Sequence, residues 1–158
     1  MPLTPYSQPS SGGMYTIPLG ISWIASGGPN DSTTYFAPMA GLIANVATAV
    51  GPQFDTWAEA NFEIPTAGTI ISVSYTWKNY SGVLATGENV LSAIRVNDAA
   101  DIADTTEPRW DQSFETLVVS GLSTVVAAGD RIAGKILTPA WVTNPVGVAF
   151  GALVTIQT

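Results

Sequence analysis

Hydrophobic and polar residues alternate with a period of two along most of the chain after residue 54. In the run VGVAFGALVTIQT, every second residue from Val146 to Ile156 is apolar. A helix would instead bring residues three and four apart onto one face, so this period predicts half-buried β-strands. Strands are predicted on this basis in FDTWAEANFEIP, TIISVSYTWKN, NVLSAIRVN, QSFETLVVSG, RIAGKILT and VGVAFGALVTIQT, and STTYFAPM adds a β-branched and aromatic candidate.

Two of these strands have a predicted facing. In FDTWAEANFEIP, Phe62 and Ile64 fall on the apolar face, and Trp57 falls on the polar face between Asp55 and Glu59. In TIISVSYTWKN, the predicted apolar face holds Ile71, Val73, Tyr75 and Trp77, with Ile70 on the other side. Trp77 is therefore expected in the core.

Glycine- or proline-containing breaks separate most of the strands and indicate turns. Seven or eight short strands in this arrangement predict an all-β fold, a jelly roll or β-sandwich of about eight antiparallel strands. One stretch stays open: GLIANVATAVG has the spacing of a helix face, but its valines and threonines also suit a strand.

The N-terminal segment differs from the rest of the chain. Its first thirty residues carry no charge and contain five prolines and five glycines. Proline fixes φ and removes a backbone donor, which favours an extended path. We therefore divide the chain into an extended N-terminal arm, residues 1–32, and a jelly-roll domain, residues 33–158. Within the arm, MYTIPLGISWIAS reads as a strand interrupted by Pro18 and Gly20, which suits an edge or an intermolecular pairing.

Large apolar side chains recur along the arm more often than a solvated tail would require. Exposed apolar runs of this kind usually mark contact with a partner. The residues predicted to bind a partner are Leu3, Tyr6, Met14, Tyr15, Ile17, Leu19, Ile21, Trp23 and Ile24.

Composition removes several classes of function. The chain has no cysteine and no histidine, which excludes disulfides, Ser-His-Asp and Cys-His catalysis, and the commonest metal ligands. No cofactor and no metal site are predicted. With five cations and a net charge of −7, a nucleic-acid partner is not expected. The longest charge-free run after the arm, from Ser32 to Phe54, is broken by prolines and glycines and is not a membrane span. Charged residues make up 11% of the chain and apolar ones 46%, which indicates that part of the surface is covered.

Aromatic and acidic residues supply the remaining candidate sites. Trp57, Trp110 and Trp141 are possible interface aromatics, because aromatic residues are enriched in interface cores. Trp57 between two carboxylates would also suit a sugar platform or, less favourably, a glycosidase dyad. NDAADIADTTE carries three spaced aspartates, but it lacks the ligand alternation and the glycine of a calcium loop, so a solvated loop is expected.

Four stretches together resemble jelly-roll structural proteins of tailed bacteriophages. They are TTYFAPMAG, FEIPTAGTIISVSYTW, ENVLSAIRVND and TVVAAGDRIAGKI, and the resemblance covers roughly residues 33–158. Asp98 stands where the pattern often has glycine, which leaves the geometry of that turn open. Within the group the chain looks most like capsid decoration (cement) proteins, particularly those of thermophilic phages.

This resemblance implies a non-enzymatic virion protein, made in the host cytoplasm and placed on the outer capsid surface. It implies a homotrimer that binds the major capsid protein and stabilises the shell across capsomer junctions. The alternative from another class is a phage head or tail fibre tip, or a carbohydrate-binding module, that uses exposed aromatics such as Trp57.

Overall fold

Nine strands and one short helix make up the described part of the chain in the computed structural model. The structure describes residues 12–23, 28–39, 57–79, 89–106, 114–145 and 147–158, with the backbone alone at Trp23 and Glu59. The elements are β1 (Met14–Trp23), β2 (Thr34–Ala37), α1 (Trp57–Ala60), β3 (Phe62–Glu63), β4 (Gly68–Asn79), β5 (Leu91–Val96), β6 (Ala100–Thr105), β7 (Phe114–Val126), β8 (Arg131–Leu137) and β9 (Val148–Gln157).

The strands form two antiparallel sheets. Sheet 1 has the order β1-β9-β4-β7, and sheet 2 has the order β2-β8-β5-β6, with the two-residue β3 also paired to β8. Without β3, the eight remaining strands in chain order lie as 1-8-3-6 and 2-7-4-5. This is the strand order of a jelly roll, in which two sheets pack face to face. The predicted all-β fold is confirmed.

The core lies between the two sheets, where the predicted alternation puts apolar side chains. β9 follows the prediction closely: its inward residues are Val148, Phe150, Ala152, Val154 and Ile156, and all are buried. Three rings meet at the centre, with the Tyr75 and Trp77 centroids 5.3 Å apart and the Trp77 and Phe150 centroids 5.6 Å apart. Burial of each such side chain stabilises the fold by roughly 2–3 kcal/mol.

Gly134 on β8 makes room for one of these rings. A Cβ atom at this position would lie 2.8 Å from Cε1 of Phe150 and 3.0 Å from the Cβ of Ala37. A larger residue here would therefore force the Phe150 ring or the neighbouring strand β2 to shift.

The predicted facing of β4 is correct from Val73 onward and wrong before it. Ile70 is buried and Ile71 is not, because the pairing register shifts between Ile70 and Ser72. This β-bulge places one extra residue on β4 opposite β9 and reverses the phase of the alternation.

The strand predicted in FDTWAEANFEIP is mostly wrong. Among the described residues of this stretch, Trp57–Ala60 forms the single helical turn α1, and Phe62–Glu63 is a strand. The side-chain amide of Asn61 donates to the carbonyl of Trp57 at 2.9 Å and closes the turn. Ala60 is buried with Phe36 in a small cluster on sheet 2, so tertiary packing overrides the local pattern.

The acidic stretch predicted to be a solvated loop contains the strand β6. It is joined to β5 by a hairpin turn in which Asn97 and Asp98 have φ values of 50° and 53°. Both lie in the left-handed region that a type I′ turn requires, which settles the geometry at Asp98. The ambiguous stretch GLIANVATAVG, residues 41–51, lies outside the described residues.

Candidate interaction surface

The predicted arm residues between 14 and 23 lie in a strand of the jelly roll itself. β1 pairs with β9 along its whole length, from Met14 opposite Gln157 to Trp23 opposite Val148. Two of the nine predicted binding residues remain at or near the surface of β1: Met14 is 68% exposed, and half-buried Tyr15 donates its hydroxyl proton to the carbonyl of Thr66 at 2.6 Å. Three others, Ile17, Leu19 and Ile21, are buried in the core of their own chain.

The other predicted arm residues are not placed. Leu3, Tyr6 and Ile24 lie outside the described residues, and only the backbone is described at Trp23. Further along, the segment before β2 bonds to the end of sheet 2: the Thr138 hydroxyl donates to the carbonyl of Asn30 at 2.6 Å. The described part of residues 1–32 is thus packed on the same jelly roll as residues 33–158.

The candidate interface aromatics have different surroundings. Trp57 is half-buried and meets Phe36 edge to face, with ring centroids 5.9 Å apart. Trp141 is 7% exposed and belongs to the main core, so its ring is not a surface aromatic. Trp110 lies outside the described residues. Trp57 is on a helical turn and not on a strand with Asp55 and Glu59, which removes the predicted geometry of a carboxylate dyad.

Asp101 on β6 holds two cations on the outside of sheet 2. Its carboxylate accepts a hydrogen bond from Nη1 of Arg95 at 3.0 Å and another from Nζ of Lys135. Burial acts to raise the pKa of Asp101, but the hydrogen bonds and charges of Lys135 and Arg95 outweigh it and lower that pKa. Asp101 therefore joins β5, β6 and β8 electrostatically, which is a structural role.

A second carboxylate, Asp130, fixes the turn between β7 and β8. Its side chain accepts from the backbone amide of Ala127 at 2.7 Å and from the side chain of Asn97 at 2.9 Å. These bonds lower the pKa of Asp130. The β5–β6 and β7–β8 turns are thereby bonded to each other.

The outer side of sheet 2 is the charged face. We define it by the outward positions of its strands, namely Thr34, Phe36, Glu63, Leu91, Ala93, Arg95, Asp101, Arg131, Ala133, Lys135 and Leu137. The ion cluster lies here, and α1 packs against Phe36 and Ala133. Much of this face is therefore covered by the chain's own side chains.

The outer side of sheet 1 is the neutral face, and it is built differently. Its five rows across the strands are Ser22–Ala149–Lys78–Phe114, Gly20–Gly151–Thr76–Thr116, Pro18–Leu153–Ser74–Val118, Thr16–Thr155–Ser72–Ser120 and Met14–Gln157–Thr69–Val125. Lys78 is the one charged residue in these rows. All seven carboxylates whose side chains the structure describes lie elsewhere: Asp31, Glu63, Asp98, Asp101, Asp104, Glu115 and Asp130.

Exposed apolar side chains concentrate on the neutral face. Of the seven large hydrophobic residues that are exposed among the described residues, five lie in these rows. They are Met14, Phe114, Val118, Val125 and Leu153, with exposed fractions of 68%, 59%, 59%, 79% and 42%. Beside Phe114 lies an open depression of about 530 Å³, floored by Ala149 and Gly151. Exposed apolar side chains concentrated on one face make that face a candidate interaction surface.

Among the described strands, β7 and β1 are the two edges of the neutral face. β1, at the opposite edge, is interrupted by Pro18 and bridged to Met39 through Leu19. The edges of sheet 2 are either short, as in the four-residue β2, or carry aspartates, as in β6. β7 has 13 residues and no proline, but its pairing register shifts between Ser120 and Thr124, and Glu115 lies opposite the buried Trp77; such irregularities and inward charges limit pairing at an edge.

The sequence analysis did not locate this face, although a signal was present. The outward positions of β4, β7 and β9 are mostly Ser, Thr, Gly and Ala, where a solvated strand usually carries charges. Low overall charge predicts that part of the surface is covered, and the strand order brings these uncharged positions together on one face.

Two further sites are absent from the described part of the chain. No helix there has the length and apolar character needed to cross a membrane. Likewise, no three acidic, histidine or cysteine side chains lie together as metal ligands among those residues.

Comparisons with known proteins show the fold and no closer relationship. No protein-family model and no curated protein sequence matches the chain. A chain of the cyanophage Pam1 capsid asymmetric unit is similar with a TM-score of 0.52 and 12% identity, over 99% of this chain and 93% of that one. The crystal structure of FLHE is similar with a TM-score of 0.50 and 9% identity, over 92% of this chain and 99% of that one. At these identities, the jelly roll is what the three chains share.

Proposed function

We propose that this chain is a non-enzymatic structural protein of a phage virion. More finely, we propose a capsid decoration protein that binds the outer surface of the assembled shell as a homotrimer and stabilises it across capsomer junctions. The observation that carries the proposal is the jelly roll, which matches a phage capsid chain over almost the full length of both chains.

Because FLHE is similar to almost the same degree, the fold alone does not choose between roles. The stretches that resemble phage structural proteins add support. Two of them correspond to adjoining turns, since Asn97 in the β5–β6 turn bonds to Asp130 in the β7–β8 turn at 2.9 Å. These two stretches therefore meet at one end of the jelly roll.

The surface chemistry fits a protein that stands outside a shell. Its net charge of −7 gives no reason to contact DNA, and its charged face is closed by the chain's own contacts. A protein that binds the assembled shell, and not its dispersed subunits, stabilises the shell by mass action, increasingly so with occupancy. Residues 1–11, with Leu3 and Tyr6, are the proposed shell-binding arm, and the major capsid protein is the proposed partner.

The first experiment measures binding to empty shells. We expect a major capsid gene beside the gene for this protein, and shells assembled from that capsid protein should retain the decoration protein through sedimentation. Their thermal disruption should also move to a higher temperature. Absence of binding to these shells would contradict the proposed function.

A second experiment tests the arm. Deletion of residues 2–11 should reduce shell binding while the jelly roll stays folded, because the deletion ends before β1. A longer deletion through residue 30 would remove Ile17, Leu19 and Ile21 from the core and would report on folding instead. The matched variants are Leu3→Ser/Tyr6→Ser, which should weaken binding, and Thr4→Ser/Gln8→Ser, which should not. Full binding by the deletion variant would refute the arm.

A further inference from the structure

We propose that the neutral face is the surface through which copies of this chain associate. The occupant of the face is a second copy, which packs against the outer side of sheet 1. The assignment goes beyond the proposed function: the same face of two copies packs as a two-fold pair, which is a contact additional to the heterologous contacts of a homotrimer. The choice of surface rests on charge, exposure and area.

Charge favours a second copy as the occupant. Each copy carries a net charge of −7, so most ways of bringing two copies together place carboxylates opposite carboxylates. The neutral face is different, since none of the seven described carboxylates lies in its rows. Identical acidic chains can approach here without that repulsion, whereas a partner of another charge would not need an uncharged face.

Apolar exposure supplies the driving force. Val118 and Leu153 lie in the same row near the middle of the face and expose 59% and 42% of their surface. Removal of such side chains from water stabilises an association by roughly 25 cal/mol per Å² of apolar area. Between them lies Ser74, and small residues of this kind let a second surface approach closely.

The area is sufficient for a specific contact. Four strands spaced at about 4.8 Å, with a length of about ten residues, present about 600 Å². Two copies that each contribute such a face bury about 1,200 Å² in total, which is the lower end of the range for specific interfaces. β7 is an edge of this face among the described strands, and its main-chain groups can add hydrogen bonds to a neighbour.

The chain offers a matched pair of substitutions to test this surface. Val118→Glu places a charge at the centre of the neutral face, and Val142→Glu makes the same change at a loop position that is 83% exposed and lies outside the face. Sedimentation velocity on the full chain at micromolar concentration measures the association. We expect an oligomer for the wild type and for Val142→Glu, and about tenfold or more weaker association for Val118→Glu.

Cross-linking provides a readout that does not require Val118→Glu to fold. The chain has no cysteine, so Ser74→Cys and Val142→Cys each introduce a single thiol. A short bis-maleimide should join copies of Ser74→Cys into a covalent dimer and should leave Val142→Cys largely monomeric. The proposal is overturned if the wild type is a monomer at these concentrations, or if only Val142→Cys cross-links.

The outcomes separate this inference from the proposed function. Association through the neutral face without binding to shells would support the inference and contradict the function. In a second outcome, the wild type is a monomer that binds shells, and Val118→Glu abolishes this binding. That result would support the proposed function but overturn the inference, because the neutral face would then contact the shell.

Discussion

The two outer faces of this jelly roll occupy equivalent positions, but they differ in charge and in how far their side chains are buried. On the charged face, Asp101 bonds to Arg95 and Lys135, and Phe36 is 8% exposed beneath α1. On the neutral face, the large ring of Phe114 is 59% exposed, and none of the described carboxylates lies in the rows. The chain's own residues cover much of the outer side of sheet 2, whereas large apolar side chains on the outer side of sheet 1 remain exposed.

The difference separates stability from association. Contacts on the charged face are made within one chain, so their loss should lower the free energy of unfolding. Side chains on the neutral face make few contacts within the chain, so their loss should change the monomer little. Three predictions use this contrast, in order of the size of the expected effect.

The largest effect is expected from the two phenylalanines. Phe36→Ala removes a buried ring that meets Trp57 at 5.9 Å, and it should lower the free energy of unfolding by about 3 kcal/mol. Phe114→Ala should lower it by less than about 0.5 kcal/mol, because that ring is mostly in water already. Urea unfolding monitored by circular dichroism measures both. Equal losses would mean that the two faces are not distinct.

A smaller effect is expected at the ion cluster. Asp101→Ala leaves Arg95 and Lys135 partly buried without their shared carboxylate, and it should cost about 2 kcal/mol. The control is Glu63→Ala on the same face, since the Glu63 carboxylate is 3.9 Å from Arg131 and largely exposed. This control should cost less than about 0.5 kcal/mol. The prediction is contradicted if Glu63→Ala lowers the free energy of unfolding more than Asp101→Ala does.

The smallest effect concerns pH. The folded state lowers the pKa of Asp101 below its ordinary value of 3.8, so its contribution to stability is present above that value and disappears as the pH falls through the folded-state pKa. Between about pH 7 and about pH 3, the wild type should therefore lose more stability than Asp101→Asn. The variant keeps some acid sensitivity, because Asp130 also has a lowered pKa. An identical loss in both proteins would show that Asp101 does not contribute.

The parts of the fold that local pattern can encode were predicted well. The alternation in β9 gave the correct inward residues, and the turn residues gave most of the strand limits. The predictions failed where distant residues decide. The bulge at Ile71 depends on how β9 and β7 pair with β4, and β6 is a strand whose Asp101 bonds to two other strands. Trp57 looked like a surface aromatic because nothing local indicates its contact with Phe36.

The sequence indicated that a charge-poor surface exists, but it did not indicate where on the molecule that surface lies. Low charge and excess apolar residues indicated a covered surface, and the N-terminal segment attracted that interpretation because its composition is distinctive. The structure places Ile17, Leu19 and Ile21 of that segment in the core instead. The neutral face draws its residues from four strands that are distant in sequence, so only the strand order assembles it.

The pairing of β1 with β9 also determines how the protein would carry a mechanical load. The amide of Gly12 bonds to the carbonyl of Thr158 at 2.7 Å, so residues 12 and 158 lie side by side at one end of the ladder. A pull between these two points opens the ladder one pair at a time, like a zipper. A pull that enters at residue 12 and is resisted through the neutral face runs along β1, and it must break the whole ladder at once. Resistance to force would then depend on where the protein is anchored.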